Sequence, residues 1–365
     1  MYRLAEDAAI TMMLSKRVLY FRLKMLLILS VIWILFGFLF LFNILEIEKQ
    51  LLSNRSLIIF CLTFAIIGLV ISSALIFYLK TAFRRYPLWI SFLLKLALAF
   101  GLFVLVAFCM LAAYFVFSYH GSLSQFTTRF FEDVFFTRGF LILMADLALL
   151  TLISLILLEV TDKYGPGGFW SMMRGEYHRP QKESRIFIFL DINNATTIAE
   201  KIGHEQYFLL LKDFFADITN PVLANGGEIY QYVGDEVVLS WKASLENKIY
   251  ALRFIRQAFY ILRRRERYYT RQYSVAPTFK AGIHSGEVTS GFVGIIKKDL
   301  VYSGDTLNTA ARLRGKCHEL QQSFILSGEF MNDFHQPFAY KITGIGEMEL
   351  KGRMEKERLF SLEFE

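Results

Sequence analysis

Asp191 closes the short apolar run RIFIFLDI (185–192), and Asp235 stands at the Gly-Asp-Glu tip of IYQYVGDEVVLSW (229–241). A tight turn between two β-rich runs accounts for the glycine, which tolerates positive φ. It does not account for the aspartate. If the two strands are neighbours, both carboxylates project from one end of a sheet toward a common point. Two carboxylates there repel each other unless a divalent cation sits between them, and Mg²⁺ is commonly held by one or two carboxylates plus substrate phosphates. The competing reading is structural: Asp191 caps a helix opened by NNATT, and Asp235 is a turn residue.

Residues further along add weight to the metal reading. YSGDTLNTAARLRGKC (302–317) turns into a helix with Asp305 as its N-cap, and Asn308 and Arg312, four apart, share one face of it. LKGR (350–353) adds Lys351 after a glycine-punctuated strand. Two carboxylates for metal, a hydrogen bonder for a ribose, a guanidinium and an ammonium together suit a nucleoside triphosphate.

The elements that must position these groups alternate from residue 185 onward. RIFIFLDI reads as a strand buried on both faces. A helix follows over about 203–218, then a hairpin over 228–241, a helix over about 245–268, a strand pair around 278–294, a strand near 300 and a helix over 305–319. Strand-helix-strand-strand-helix-strand is the order of an α+β, ferredoxin-like unit.

With these stretches in place, the chain from about 184 to 364 resembles the catalytic domain of class III nucleotidyl cyclases, the adenylate and guanylate cyclases. The resemblance rests on FIFLDINNATTIAEKIG, GGEIYQYVGDEVVLSW, KAGIHSGEV and VYSGDTLNTAARL, in that order. It implies that Asp191 and Asp235, with the backbone carbonyl of Ile192, hold two Mg²⁺ or Mn²⁺ ions. It further implies that Arg312 stabilises charge at the α-phosphoryl group, that Asn308 orients the ribose and that Lys351 contacts the outgoing phosphates. Such enzymes work as head-to-tail dimers, each site taking its aspartates from one subunit and its Asn/Arg pair from the other. One domain with the whole set implies a homodimer.

At the two positions that read the purine, the chain departs from the family. Four residues before the hairpin aspartate, adenylate cyclases commonly have Lys and guanylate cyclases Glu; this chain has Gln231. Seven before the helical asparagine, where Asp or Thr marks adenylate and Cys often marks guanylate cyclases, it has Val301. A Gln amide both donates and accepts, whereas guanine asks for an acceptor pair. ATP is therefore the expected substrate, with GTP as the alternative. A domain that only binds nucleotide for a membrane receptor is a further reading, weighed down by its keeping all five groups.

Ahead of this domain the composition changes. The chain is 55% hydrophobic with 37 Phe, and the long apolar runs lie before residue 161. Runs at 25–45, 56–79, 88–118 and 139–160 are each long enough to span a bilayer, which takes about 20 apolar residues. Lys16, Arg17, Arg22 and Lys24 precede the first run, and Lys80, Arg84 and Arg85 follow the second. The positive-inside rule then puts both termini and the cyclase-like domain in the cytoplasm. The expected division is an N-terminal cytoplasmic segment 1–24, a four-helix transmembrane domain 25–160, a linker 161–184 and a catalytic domain 185–365, in a multi-pass protein of the cell (inner) membrane. Lys95 and Asp146 lie at different depths and are not expected to pair.

The net charge of +7 does not lead to nucleic acid: RRRER (263–267) lacks interleaved stacking residues and reads as a solvated helix end. Cys61, Cys109 and Cys317 form no metal spacing and no disulfide pattern. His284 reads as a core or interface residue, Glu236 as solvent-facing, and Asp213 with Asp217 as a wet helix face.

Overall fold

The computed structural model describes residues 19–20, 22–37, 54–79, 82–83, 86–119, 122–129, 138–164, 174–296, 298–334, 340–350 and 356–364. It divides into a helical unit, 19–164, and a second unit that includes 165–365.

In the helical unit, α1 runs over 22–37, and α2 (Asn54–Ser73) continues into a π-helical segment, Ala74–Leu79. Then come α3 (Leu88–Tyr119), a short α4 (Leu123–Arg129) inside the expected third loop, and α5 (Arg138–Tyr164). Small residues allow close packing: a Cβ at Gly68 would collide with Trp33, whose indole N–H donates to Ser154 Oγ at 3.3 Å. By length and composition, α3 through Trp89–Val106 and α5 through Met144–Thr161 are apolar enough to cross a membrane. The apolar part of the second expected span, Phe64–Leu79, is shorter, and the end of the first lies outside the described residues. Two candidate spans rather than four are thus present among the described residues. Lys95 is buried, Asp146 is half-buried, and no ion pair joins them.

The second unit is built on β1 (Gln181–Ile192), α6 (Ala195–Ile202), α7 (His204–Ala224), β2 (Glu228–Val233), β3 (Glu236–Lys242), α8 (Leu245–Arg264), α9 (Glu266–Tyr273) and β4 (Phe279–Val293). β5 (Asp299–Ser303), α10 (Asp305–Glu319), β6 (Phe324–Ser327), α11 (Gly328–Met331), β7 (Lys341–Glu349) and β8 (Lys356–Glu363) complete it. The sheet order is β2-β3-β1-β4-β6-β8-β7, with β5 paired to β4. Its first four strands, β2-β3-β1-β4, are the ferredoxin-like arrangement expected from the order of elements.

The central strand explains the layering. Ile186, Ile188, Leu190 and Ile192 of β1 pack in one core with Phe214 and Ile218 of α7 and Phe254 and Ile255 of α8. The alternate residues, Phe187 and Phe189, meet Val238, Tyr302 and Ala310 on the opposite face, which α10 covers. A strand with helices on both sides can be apolar throughout, and that is how its sequence reads.

Two expected elements differ. The strand pair at 278–294 is one fifteen-residue strand, β4, which borders β1, β5 and β6. The helix over 245–268 breaks at Arg265, which is drawn off to Asp217. Asp213 and Asp217 are correspondingly not a wet face: Tyr268 and Tyr273 donate to Asp213, and Tyr269 and Arg265 to Asp217, fastening α9 to α7.

Candidate active site

Alternation along β1 decides where Asp191 points. It shares parity with Phe187 and Phe189 and so faces α10, where its residue is 6% exposed. The register sets Glu236 of β3 beside it on one side and Lys280 of β4 on the other. Asp235 belongs to the turn just before Glu236, where Gly234 takes φ 62° and lets β2 reverse tightly. Asp191 and Asp235 thus lie at one end of the sheet, near enough that Asp235 raises the Asp191 pKa.

Helix α10 can lie close because β4 is bare where it passes. A Cβ on Gly282 would collide with the backbone of Ala310, Leu313 and Arg314, and one on Gly286 with Thr306. The two glycines of KAGIHSGEV, four apart on one face of the strand, therefore set the depth of the helix. His284 between them is buried, with Nδ1 2.7 Å from Ser327 Oγ, as a core histidine should be.

The carboxylates are not left alone. Arg314 Nη1 donates to Asp191 Oδ2 at 3.1 Å, and its Nη2 lies 2.5 Å from Glu236 Oε2. Lys280 Nζ is 3.3 Å from the same Asp191 oxygen. Burial first, then Asp235, push the Asp191 carboxyl above its ordinary pKa, while Arg314 and Lys280 pull it back. The Tyr207 hydroxyl is buried without a hydrogen-bond partner among the described residues, and burial followed by Asp235 and Asp191 pushes it up to about 12. A cluster of carboxylates, with an orphaned hydroxyl near enough to feel their charge, is chemically suited to a divalent cation, which prefers oxygen ligands. The residues fit such an ion, although no cluster of three or more His, Cys, Asp or Glu side chains placed for a metal occurs among the described residues. Protein oxygens would therefore be only part of the coordination sphere. The Ile192 side chain is in the core, so this residue has only its backbone to offer.

Two readings of individual residues change. Glu236 is not solvent-facing, for alternation puts it on the α10 face, and its side chain is only 12% exposed. The cap of α6 is Asn194, at φ 54°, not Asp191, and the cap of α10 is Gly304, with Asp305 as the first helical residue. Arg314, Lys280 and Tyr207 were not singled out from the sequence. The register partner of Asp191 would have pointed to Lys280, whereas Arg314 had no local signal.

Asn308 is exposed on α10, and Arg312, one turn on, meets Asp305 at 3.7 Å. Among the described residues no hydrogen bond or ion pair joins Asn308 or Arg312 to Asp191 or Asp235; Arg314, two residues further along the helix, is the arginine that reaches Asp191. Gln231 is exposed on β2, just past a bulge between Ile229 and Gln231, and Val301 is half-buried on β5. Their neighbours Tyr230 and Tyr302 meet edge to face with ring centres 4.9 Å apart, and the Tyr302 N–H donates to Tyr230 Oη at 3.2 Å, so the two positions are drawn together. Beneath them the buried Arg185 reaches Glu228 at 2.7 Å and Ser240 at 2.8 Å and lies 4.6 Å from the Tyr302 ring centre. Lys351 lies outside the described residues.

Residues 178–363 match the family described as the adenylate and guanylate cyclase catalytic domain. The chain belongs to that family. It is 32% identical over 211 residues to "Adenylate cyclase 2" of Rhizobium meliloti (strain 1021), a match covering 57% of this chain and 58% of that one. It is 32% identical over 171 residues to "Adenylate cyclase 1" of the same strain, covering 46% of this chain and 25% of that one. The chain thus spans somewhat over half the length of the first relative and a quarter of the second. Among solved structures, the adenylyl cyclase CyaB from P. aeruginosa aligns with TM-score 0.46 and 19% identity over 51% of this chain and 97% of that one. The guanylate cyclase domain of RhGC from Catenaria anguillulae, in complex with GTP, aligns with TM-score 0.42 and 19% identity over 50% and 97%.

Proposed function

We propose that the protein is a membrane-anchored adenylate cyclase, converting ATP to 3′,5′-cyclic AMP and pyrophosphate. The observation that carries this reading is the convergence of Asp191 and Asp235 at one end of the sheet, in a chain whose family is that of nucleotide cyclases. In the reaction the ribose 3′-oxygen bonds to the α-phosphorus, the bond from that phosphorus to the bridging oxygen breaks, and the hydroxyl proton is released. Mg²⁺ or Mn²⁺ held by Asp191, Asp235 and the Ile192 carbonyl would supply charge neutralisation and a lowered hydroxyl pKa. Asn308 orients the ribose, Arg312 meets charge growing on the α-phosphoryl oxygens, and Lys351 holds the departing pyrophosphate. Catalysis on this account is positioning plus fixed electrostatics.

Since Arg314, not Asn308 or Arg312, pairs with the chain's own Asp191, we take the working form to be a head-to-tail homodimer with two shared sites. Gln231 and Val301 stand at the purine, and the amide of Gln231 serves adenine. The helical unit crosses the membrane four times, with α3 and α5 as its best-supported spans, and leaves both termini in the cytoplasm, where ATP is. Assay of the purified chain with ATP and with GTP, each in Mg²⁺ and in Mn²⁺, tests the activity: cyclic AMP is the expected product, and no cyclic nucleotide in any arm would refute it. Reporter fusions after residues 50 and 128 should read external, and those at residue 83 and the C-terminus cytoplasmic.

A further inference from the structure

Helix α10 carries two arginines whose situations differ, and only Arg312 is used by the reaction as proposed. The other, Arg314, is committed to the carboxylates of its own chain. Its fork is split: Nη1 is 3.1 Å from Asp191 Oδ2, and Nη2 is 2.5 Å from Glu236 Oε2. A guanidinium that gives both nitrogens to one carboxylate must let go of everything at once, but a split fork can release one limb and keep the other. The limb on Asp191 sits where a metal would also draw on that carboxylate. The limb on Glu236 is anchored next to the site, on the strand neighbour of Asp191.

We propose that Arg314 is a built-in competitor for the metal cradle: it holds Asp191 in the metal-free chain, yields that carboxylate when a divalent cation binds, and stays docked on Glu236. The proposal rests on the metal-centre reading above. Its physical basis is charge balance in a largely buried cluster of ionised side chains. Asp191 beside Asp235 is costly without a counter-charge, and Arg314 with Lys280 offsets that cost before metal arrives. Binding is then an exchange of one cation for another at Asp191, so the end of the sheet keeps its shape with the site empty or full. The cost of this pre-shaping is affinity, since the metal must displace a charge-assisted hydrogen bond. Arg314 is on this account a positioning residue that touches no substrate. Both Arg314 and Lys280 use Oδ2 of Asp191, so the metal can engage Oδ1 before Arg314 has fully withdrawn.

The test is Mn²⁺ binding by the full-length chain in detergent, stripped of metal and titrated without nucleotide, with free Mn²⁺ read by electron paramagnetic resonance. Arg314→Gln should bind Mn²⁺ about tenfold more tightly than wild type, the scale of one charge-assisted hydrogen bond. Lys316→Gln, which removes a nearby charge paired to Glu319 on the same helix, should leave the affinity unchanged. Unchanged or weaker binding by a folded Arg314→Gln would overturn the proposal, as would equal tightening by Lys316→Gln. If Arg314→Gln does not fold, Arg314→Lys takes its place, because one ammonium cannot bridge both carboxylates. It should bind about threefold more tightly, and affinity equal to or below wild type would overturn the proposal. A different result would strike the metal centre itself: Asp191→Ala binding Mn²⁺ as tightly as wild type.

Discussion

At the carboxylate end of the sheet, Asp191 is buried, flanked in register by Glu236 and Lys280, and held by Arg314 from above. Elsewhere on α10, Asn308 is exposed, and Arg312 meets Asp305 of its own helix at 3.7 Å, with its Nη1 buried and without a hydrogen-bond partner among the described residues. Both regions carry groups required by the same proposed chemistry, yet one is compensated inside the chain and the other is not. Charged groups taken out of water without partners are costly, so a fold that leaves a guanidinium under-used has another claimant for it. On the reading proposed above, these are two half-sites, one balanced for a cation by Arg314 and Lys280 and one left for the phosphates of a nucleotide bound to a second subunit.

The strongest way to break that comparison is to remove the finished half. Asp191→Ala or Asp235→Ala should lower cyclic nucleotide formation by about a thousandfold, the scale of losing a fixed electrostatic group at a developing charge. The variants should remain folded and membrane-bound. Turnover close to wild type in either would end the metal role of the pair.

A second test asks whether the halves belong to different subunits. Asp235→Ala and Arg312→Ala chains are each expected to be inactive alone. Co-expressed in equal amounts, half of the dimers are mixed, and each mixed dimer has one site with both defects and one intact. Activity should therefore return to about a quarter of wild type. Mixed dimers, verified by differential tags, that give no activity would mean that each site is built within one chain.

The same contrast explains what the sequence disclosed. The buried β1, the hairpin, the two aspartates at a shared end and the Asn308/Arg312 face were all legible, because alternation and helical spacing are local properties. Arg314 was not legible, since its role depends on how deeply α10 sits over Gly282, a fact of tertiary packing. Glu236 was misread for a related reason: its parity was right, but the face it looks onto is roofed by α10 rather than by water. The break at Arg265 follows from an ion pair to Asp217, 48 residues away, and the unbroken β4 from three neighbouring strands, neither of which short windows contain. In the helical unit, composition marked four apolar runs, whereas the described helices reach spanning length and hydropathy in two.

The finest test concerns the base, which both half-sites leave unread. Gln231 lies on β2 beyond the bulge that seats Tyr230 against Tyr302, and it is exposed, so a substitution there should not disturb the core. Its amide presents either an oxygen or an NH₂ group to a purine edge. Gln231→Glu replaces that choice with acceptors alone, suited to guanine N1–H and the 2-amino group and set against the acceptor N1 of adenine. A lost or mismatched hydrogen bond in a closed site costs about 1–3 kcal/mol, so the ratio of kcat/KM for ATP over GTP should fall about tenfold. Val301 offers guanine O6 no donor, which keeps the change short of a full exchange of substrates. The ratio should be measured for both proteins at fixed Mn²⁺, with the Asp191→Ala chain as the inactive baseline. A ratio unmoved by the substitution would mean that Gln231 does not touch the base, and that purine selection belongs to other residues.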